Sequence, residues 1–217
     1  MRGLLGAAAL AVASIAVGVT VPTAAAGERA ATATSGWARI ATVQGRGSRV
    51  ASVRLPAGPV IVVARHAGSS NFVVELSGPG GRELLVNEIG RYRGAAVTDA
   101  AGAGRYRAAV TADGAWTLQL LRPTATGLRP VLGRFGGTGS TVIGVRARTE
   151  RELVVTATHR GESNFVVYLV GFGSLSGREL VVNEIGRYRG QALVDVPRGT
   201  LLVWVQADGA WSVRIAP

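Results

Sequence analysis

The chain has 217 residues, 24 Lys+Arg against 13 Asp+Glu for a formal charge of +11, and no cysteine. Without cysteine there are no disulfide staples, no thiol catalysis and no cysteine-held metal, so stability must come from packed cores. Every basic side chain other than histidine is arginine, and the arginines form no long run. Such a charge either follows from an arginine-, alanine- and glycine-rich composition or marks a surface attracted to anionic polymers. With no zinc-finger or helix-turn-helix pattern, specific nucleic-acid recognition is not expected.

Met1-Arg2 supplies a positive start, Gly3 to Val19 an uncharged apolar run, and Pro22 ends it before Ala24-Ala25-Ala26. This order predicts a signal peptide over 1–26, cleaved near Ala26, and a secreted mature chain; a retained anchor is the alternative. No cysteine follows the run to take a lipid, and no later run is long enough to cross a membrane. Losing Arg2 with the signal brings the charge from +11 to +10. Residues 27–36 are small and polar and are expected to be a flexible lead-in.

From Trp37 onward, short apolar or alternating runs are bounded by Gly, Pro, Asp or Asn, the pattern of strands. In the first half they cover Arg49–Leu55, Pro59–His66, Asn71–Leu76, Glu83–Glu88, Ala95–Thr98, Arg105–Thr111 and Trp116–Leu121. No stretch keeps a helical apolar face for three turns. Residues 123–137, with two prolines and several glycines, read as a linker. The second half then gives Ser140–Arg146, Leu153–His159, Asn164–Val170, Glu179–Glu184, Ala192–Val194, Leu201–Gln206 and Trp211–Ile215. Asp113-Gly114 and Asp208-Gly209 have the chemistry of type I′ hairpin turns, which predicts that the last two strands of each unit pair with one another.

The two halves repeat one another. Gly81 to Gly94, GRELLVNEIGRYRG, returns at Gly177 to Gly190 with Leu85 replaced by Val181 as the only change, and ADGAW recurs at 112–116 and 207–211. The second copy has a longer turn, GFGSLSG at 171–177, where the first has GPGG. Seven strands in under a hundred residues is the rhythm of a β-sandwich. The expected fold is all-β, with two tandem antiparallel β-sandwich domains of jelly-roll or immunoglobulin-like size over 37–122 and 138–217. The motifs SNFVV, LLVNEIGRYRG and VTADGAW, with their second copies, resemble a secreted actinobacterial tandem β-sandwich repeat of unassigned activity. They are more loosely similar to bacterial pre-peptidase C-terminal (PPC-like) accessory domains. That resemblance implies a non-catalytic accessory or surface-binding unit.

The candidate site is the repeated loop, Asn87, Glu88, Arg91, Tyr92 and Arg93 with Asn183, Glu184, Arg187, Tyr188 and Arg189. In one reading it closes the sandwich: Gly90 and Gly186 take a conformation barred to other residues, the tyrosines lie over the sandwich end, and the arginines pair with Glu88 or Glu184 and with Asp99 or Asp195. In the other it is a basic-aromatic rim, with Arg holding an anion and Tyr stacking a sugar. His66 and His159 sit at strand ends as hydrogen-bonding residues; no metal and no cofactor are expected. No catalytic motif is complete, since GSLSG has its serines outside the third place. A glycoside-type pair of Glu88 and Glu184 would have to meet across two domains.

The function expected is therefore a secreted, non-enzymatic binding protein whose partner is a cell-envelope or other extracellular anionic or glycan polymer. The alternative is a structural or interaction module that meets another exported protein, for which the divergence of Glu75 from Tyr168 and of Ala109 from Trp204 offers two different faces.

Overall fold

The computed structural model describes residues 36–124, 126, 128–171 and 177–217. The expected signal peptide, the lead-in up to residue 35 and the interior of the 171–177 turn lie outside them. All regular elements among the described residues are strands, and no helix there is long and apolar enough to cross a membrane.

The first repeat contains β1 (Trp37–Arg46), β2 (Arg49–Leu55), β3 (Gly58–Ala67), β4 (Asn71–Gly78), β5 (Gly81–Ile89), β6 (Tyr92–Ala100), β7 (Gly104–Thr111) and β8 (Ala115–Pro123). They form two four-stranded sheets of order β1-β8-β3-β6 and β2-β7-β4-β5. After the short β9 (Arg129–Pro130), the second repeat runs through β10 (Gly133–Thr138), β11 (Thr141–Ala147), β12 (Arg151–Arg160), β13 (Asn164–Gly171), β14 (Arg178–Ile185), β15 (Tyr188–Val196), β16 (Gly199–Gln206) and β17 (Ala210–Ala216). Its sheets, β10-β17-β12-β15 and β14-β13-β16-β11-β9, have the same order with β9 added in parallel to β11. The chain is all-β, as the strand periodicity predicts, and each repeat is an eight-stranded jelly roll.

Inward residues alternate along the strands, and each repeat closes its own core. Phe72, Val74, Val60 and Leu118 are buried in the first, and Phe165, Val167, Leu153 and Val213 in the second. Each such side chain contributes about 1.5–3 kcal/mol relative to leaving it in water.

The structure differs from the sequence reading in three places. Each repeat has an additional first strand: β10 (GRFGGT) is hidden by its three glycines, whereas β1 (WARIATVQGR) alternates as a strand should and has one glycine, near its end. The glycine is required there: a Cβ at Gly45 would lie 2.6 Å from the Trp116 ring, and one at Gly137 would lie 2.9 Å from the Trp211 ring. Consequently 123–137, expected as a linker, contains β9 and most of β10. Finally, β7 and β8 do not pair. Among the described residues only β4–β5 and β13–β14 are consecutive strands within one sheet, so Asp113-Gly114 is a crossover between sheets. The Asp113 carboxylate accepts from the Ser69 amide at 2.8 Å and the Ser70 amide at 3.0 Å, pinning one crossover to the next. Gly114 serves close approach, since a Cβ would stand 2.3 Å from the Ala67 carbonyl oxygen.

A third apolar cluster joins the repeats. Ile61, Ala95, Ala96 and Val97 of the first meet Val170, Leu202 and Trp204 of the second, with Tyr168 stacked on Trp204 at 5.2 Å. The Trp204 indole donates to the Ala95 carbonyl at 3.3 Å, and the Ala95 amide donates to the Ser140 carbonyl at 3.1 Å. Edge strand β6 is thereby covered, whereas its counterpart β15 leaves Leu193 66% exposed. Four of the positions at which the copies diverge lie along this seam. Tyr168, Val170, Leu202 and Trp204 occupy the places of Glu75, Ser77, Arg107 and Ala109. The two faces therefore differ because one of them meets the other repeat.

Candidate functional site

The repeated loop crosses from the edge of one sheet to the edge of the other. β5 ends at Ile89, Gly90 turns with φ 83°, and β6 begins at Tyr92; Gly186 repeats the turn with φ 81°. The Gly90 amide donates to the Ser70 carbonyl at 2.8 Å, and the Gly186 amide to the Ser163 carbonyl at the same distance. His66 Nδ1 is 2.7 Å from the Gly90 carbonyl oxygen, its Nε2 is 3.2 Å from Asp113 Oδ1, and its ring stacks on Phe72 at 4.5 Å. His159 does the same with Gly186, Asp208 and Phe165 at 2.7, 3.2 and 4.7 Å. In both copies the histidine ties three crossovers together. Among the described residues no three His, Asp or Glu side chains cluster as metal ligands would.

The tyrosines are packed. Tyr92 tilts against Phe72 at 5.8 Å and Tyr188 against Phe165 at 5.8 Å, while Gly94 and Gly190 leave room for their hydroxyls. Burial pushes the Tyr92 hydroxyl up to about 12, the Glu88 charge adds to this, and its bond to the Ser140 side chain acts the other way. Tyr92 thus joins the loop to the second repeat and offers little free face for stacking.

The arginines behave differently. Arg91, Arg93, Arg187 and Arg189 are exposed, and none forms an ion pair among the described residues, with Glu88, Glu184, Asp99 or Asp195 or any other carboxylate. In the first repeat Arg91 and Arg93 join Arg49 and Arg65 around an open concavity of about 810 Å³ that no carboxylate lines. Strand register builds it: Gln44 faces Thr117, Thr117 faces Arg65, and Arg65 faces Arg93 across β1, β8, β3 and β6. Four unpaired cations in one concavity raise the local potential and favour an anion. In the second repeat the corresponding row is Gly136, Ser212, Thr158 and Arg189, with Thr158 and Ser212 bonded at 2.8 Å. The identical loops therefore stand in different surroundings.

A second concavity of about 600 Å³ lies between the repeats and shares Arg91, Tyr92 and Arg93 with the first. Asn87 and Glu88 line it from β5, and Ser140, Ser163, Asn164, Gln206 and Asp208 line it from the second repeat. Partial burial holds the Glu88 carboxyl above its ordinary value, and the Asp208 charge raises it further. Asp208 shows the opposite balance. Burial raises its carboxyl, but the amides of Glu162 and Ser163, its own amide and the His159 charge together hold it low. Glu88 and Asp208 line the same cleft; Glu184 does not line it, and the two repeated glutamates are not brought together.

Of the sequence candidates, Asn87, Glu88, Arg91, Tyr92 and Arg93 gather around these two concavities. Asn183, Glu184, Arg187, Tyr188 and Arg189 form the equivalent loop without them. Arg49, Arg65, Asn164, Gln206 and Asp208 were not singled out. Alternation along β3 marks Arg65 as outward-facing, but pairing with Arg93 depends on register, and the cleft depends on the seam.

No family model and no curated protein matches this chain. Among solved structures it is similar to the N-terminal CBM22-1–CBM22-2 tandem domain of Xyn10C from Paenibacillus barcinonensis, at 10% identity and a TM-score of 0.26, over 83% of this chain and 92% of that one.

Proposed function

We propose that this chain is an exported, non-enzymatic binding protein that holds an anionic extracellular polymer, such as one of the cell envelope, in the arginine groove of its first repeat. The observation that supports this reading is the convergence of Arg49, Arg65, Arg91 and Arg93 on one concavity without a carboxylate partner. Arginine suits phosphate, sulfate and carboxylate because its planar donors bind them in pairs.

The test is co-sedimentation of the protein with purified cell envelope across a salt series. Saturable binding that survives moderate salt and weakens about tenfold for each of Arg65→Ala and Arg93→Ala supports the groove, since a charge-assisted bond is worth about 1.5–3 kcal/mol. Binding that is equal for any anionic surface and unchanged in both variants would mean that net charge alone is acting.

The alternative, a module that meets another exported protein, has its own support. Ile89 and Ile185 are 78% and 77% exposed on the two loops, so their identity in both copies has no packing explanation. Ile89→Ser and Ile185→Ser would then abolish capture of a protein partner while leaving envelope binding intact.

A further inference from the structure

We propose that the cleft between the repeats is a sugar subsite adjoining the arginine groove, so that the ligand is an anionic glycan rather than a bare polyanion. This rests on the groove reading and adds the chemistry of the neighbouring unit. Arg91, Tyr92 and Arg93 line both concavities, so a chain bound in the groove continues over them into the cleft. There it meets two carboxylates from different repeats: Glu88, which forms no ion pair among the described residues, and Asp208, which already accepts from the Glu162 and Ser163 amides and stands 3.2 Å from His159. The amides of Asn164 and Gln206 stand beside them.

This arrangement selects between ligand classes. Arg91 and Arg93 at the cleft's shared edge can still hold an anionic group, but beyond them a polymer charged at every unit would place negative groups against Glu88 and Asp208, and like charges in a partly enclosed site repel. A sugar ring carries hydroxyls that donate to carboxylates and both donate to and accept from amides. A cleft of about 600 Å³ falls in the range of small-molecule sites, roughly 300–1,000 Å³. The ligand that satisfies both concavities has anionic groups spaced by hydroxyl-bearing rings. Because the cleft exists only where the second repeat covers the edge of the first, the subsite is single although the loop is duplicated.

The test measures binding of the intact protein to polyphosphate and to a panel of sulfated glucan, uronate polymer and amino-sugar polyanion, all at equal charge concentration. At least one glycan is expected to bind more tightly than polyphosphate. The double variant Asn164→Ala, Gln206→Ala should lose that preference about tenfold with polyphosphate binding and melting temperature unchanged. Glu88→Gln should tighten polyphosphate binding by removing a repulsive charge. The subsite is overturned if no glycan exceeds polyphosphate, or if the double variant changes both ligands equally or neither. Failure of the groove itself is read separately, as polyphosphate binding indifferent to Arg65→Ala.

Discussion

Arg178 of β14 donates to Glu83 of β5 at 2.7 Å, across the boundary between the repeats. The same guanidinium donates to the Val97 carbonyl at 3.0 Å and lies 5.2 Å over the Trp204 ring, while Thr98 donates to the second Glu83 oxygen at 2.6 Å. Its counterpart Arg82 pairs with Glu75 at 3.8 Å, with its side chain 70% exposed. An ion pair of the second kind contributes little, whereas one anchored on a backbone carbonyl and an aromatic face holds a fixed geometry.

Loosening the seam should uncouple the repeats. Trp204→Ala removes a large buried side chain and is expected to cost about 3–5 kcal/mol, and Arg178→Ala about 1–2 kcal/mol. Because each sandwich has a core of its own, calorimetry of Trp204→Ala should show two unfolding transitions where the parent shows one. A single transition with unchanged midpoint would refute the seam's role.

The loop turn requires glycine. Gly90 and Gly186 sit at φ 83° and 81°, where a Cβ costs about 1–2 kcal/mol, so Gly90→Ala and Gly186→Ala should each lower stability by that amount in urea unfolding. Gly102→Ala is the control: nothing lies within 4 Å of a Cβ there and its φ is not positive, so it should be close to neutral.

Tyr92 should titrate late. Its hydroxyl is raised from 10.0 to about 12 in the folded chain, so between those values the unfolded chain ionises while the folded one does not. Stability is therefore lost as pH rises through 10 toward 12. Ultraviolet titration of the folded protein should show a late step that Tyr92→Phe removes. If the late step survives in that variant, the buried geometry of Tyr92 is wrong.

Asp113 and Asp208 should sensitise the fold to acid. The Ser69 amide is the largest influence on Asp113, and it acts with the Ser69 hydroxyl and the Ser70 amide against a smaller burial effect to hold the carboxyl low. Asp208 is likewise held low by amides that outweigh its burial. A lowered folded value contributes stability above the ordinary aspartate value of 3.8, and that stability is lost as pH falls through the folded value. Asp113→Asn and Asp208→Asn should be less stable than the parent at neutral pH and converge with it in acid. Parallel curves at every pH would contradict this.

The repeat, the strands and the turn glycines were legible in the sequence because each is a local property. Period-2 alternation marks a half-buried strand wherever it pairs, and the turns at Gly90 and Gly186 need glycine whatever surrounds them. The strand β10 was hidden because GRFGGT carries three glycines, and the reason for one of them is nonlocal: Gly137, like Gly45 in β1, is there to admit a tryptophan about 70 positions further along. Asp113-Gly114 carries hairpin chemistry, yet its carboxylate holds the neighbouring crossover, and which sheet receives β8 is settled by β1 and β3. The groove and the cleft belong wholly to tertiary structure. Arg65 meets Arg93 through register, and Glu88 and Asp208 come to line one cleft because Trp204 and Tyr168 pack against Ala95 and Val97 across the seam. Sequence sets which face each side chain takes; the choice of neighbour across that face is made by the burial of apolar surface between segments far apart in the chain.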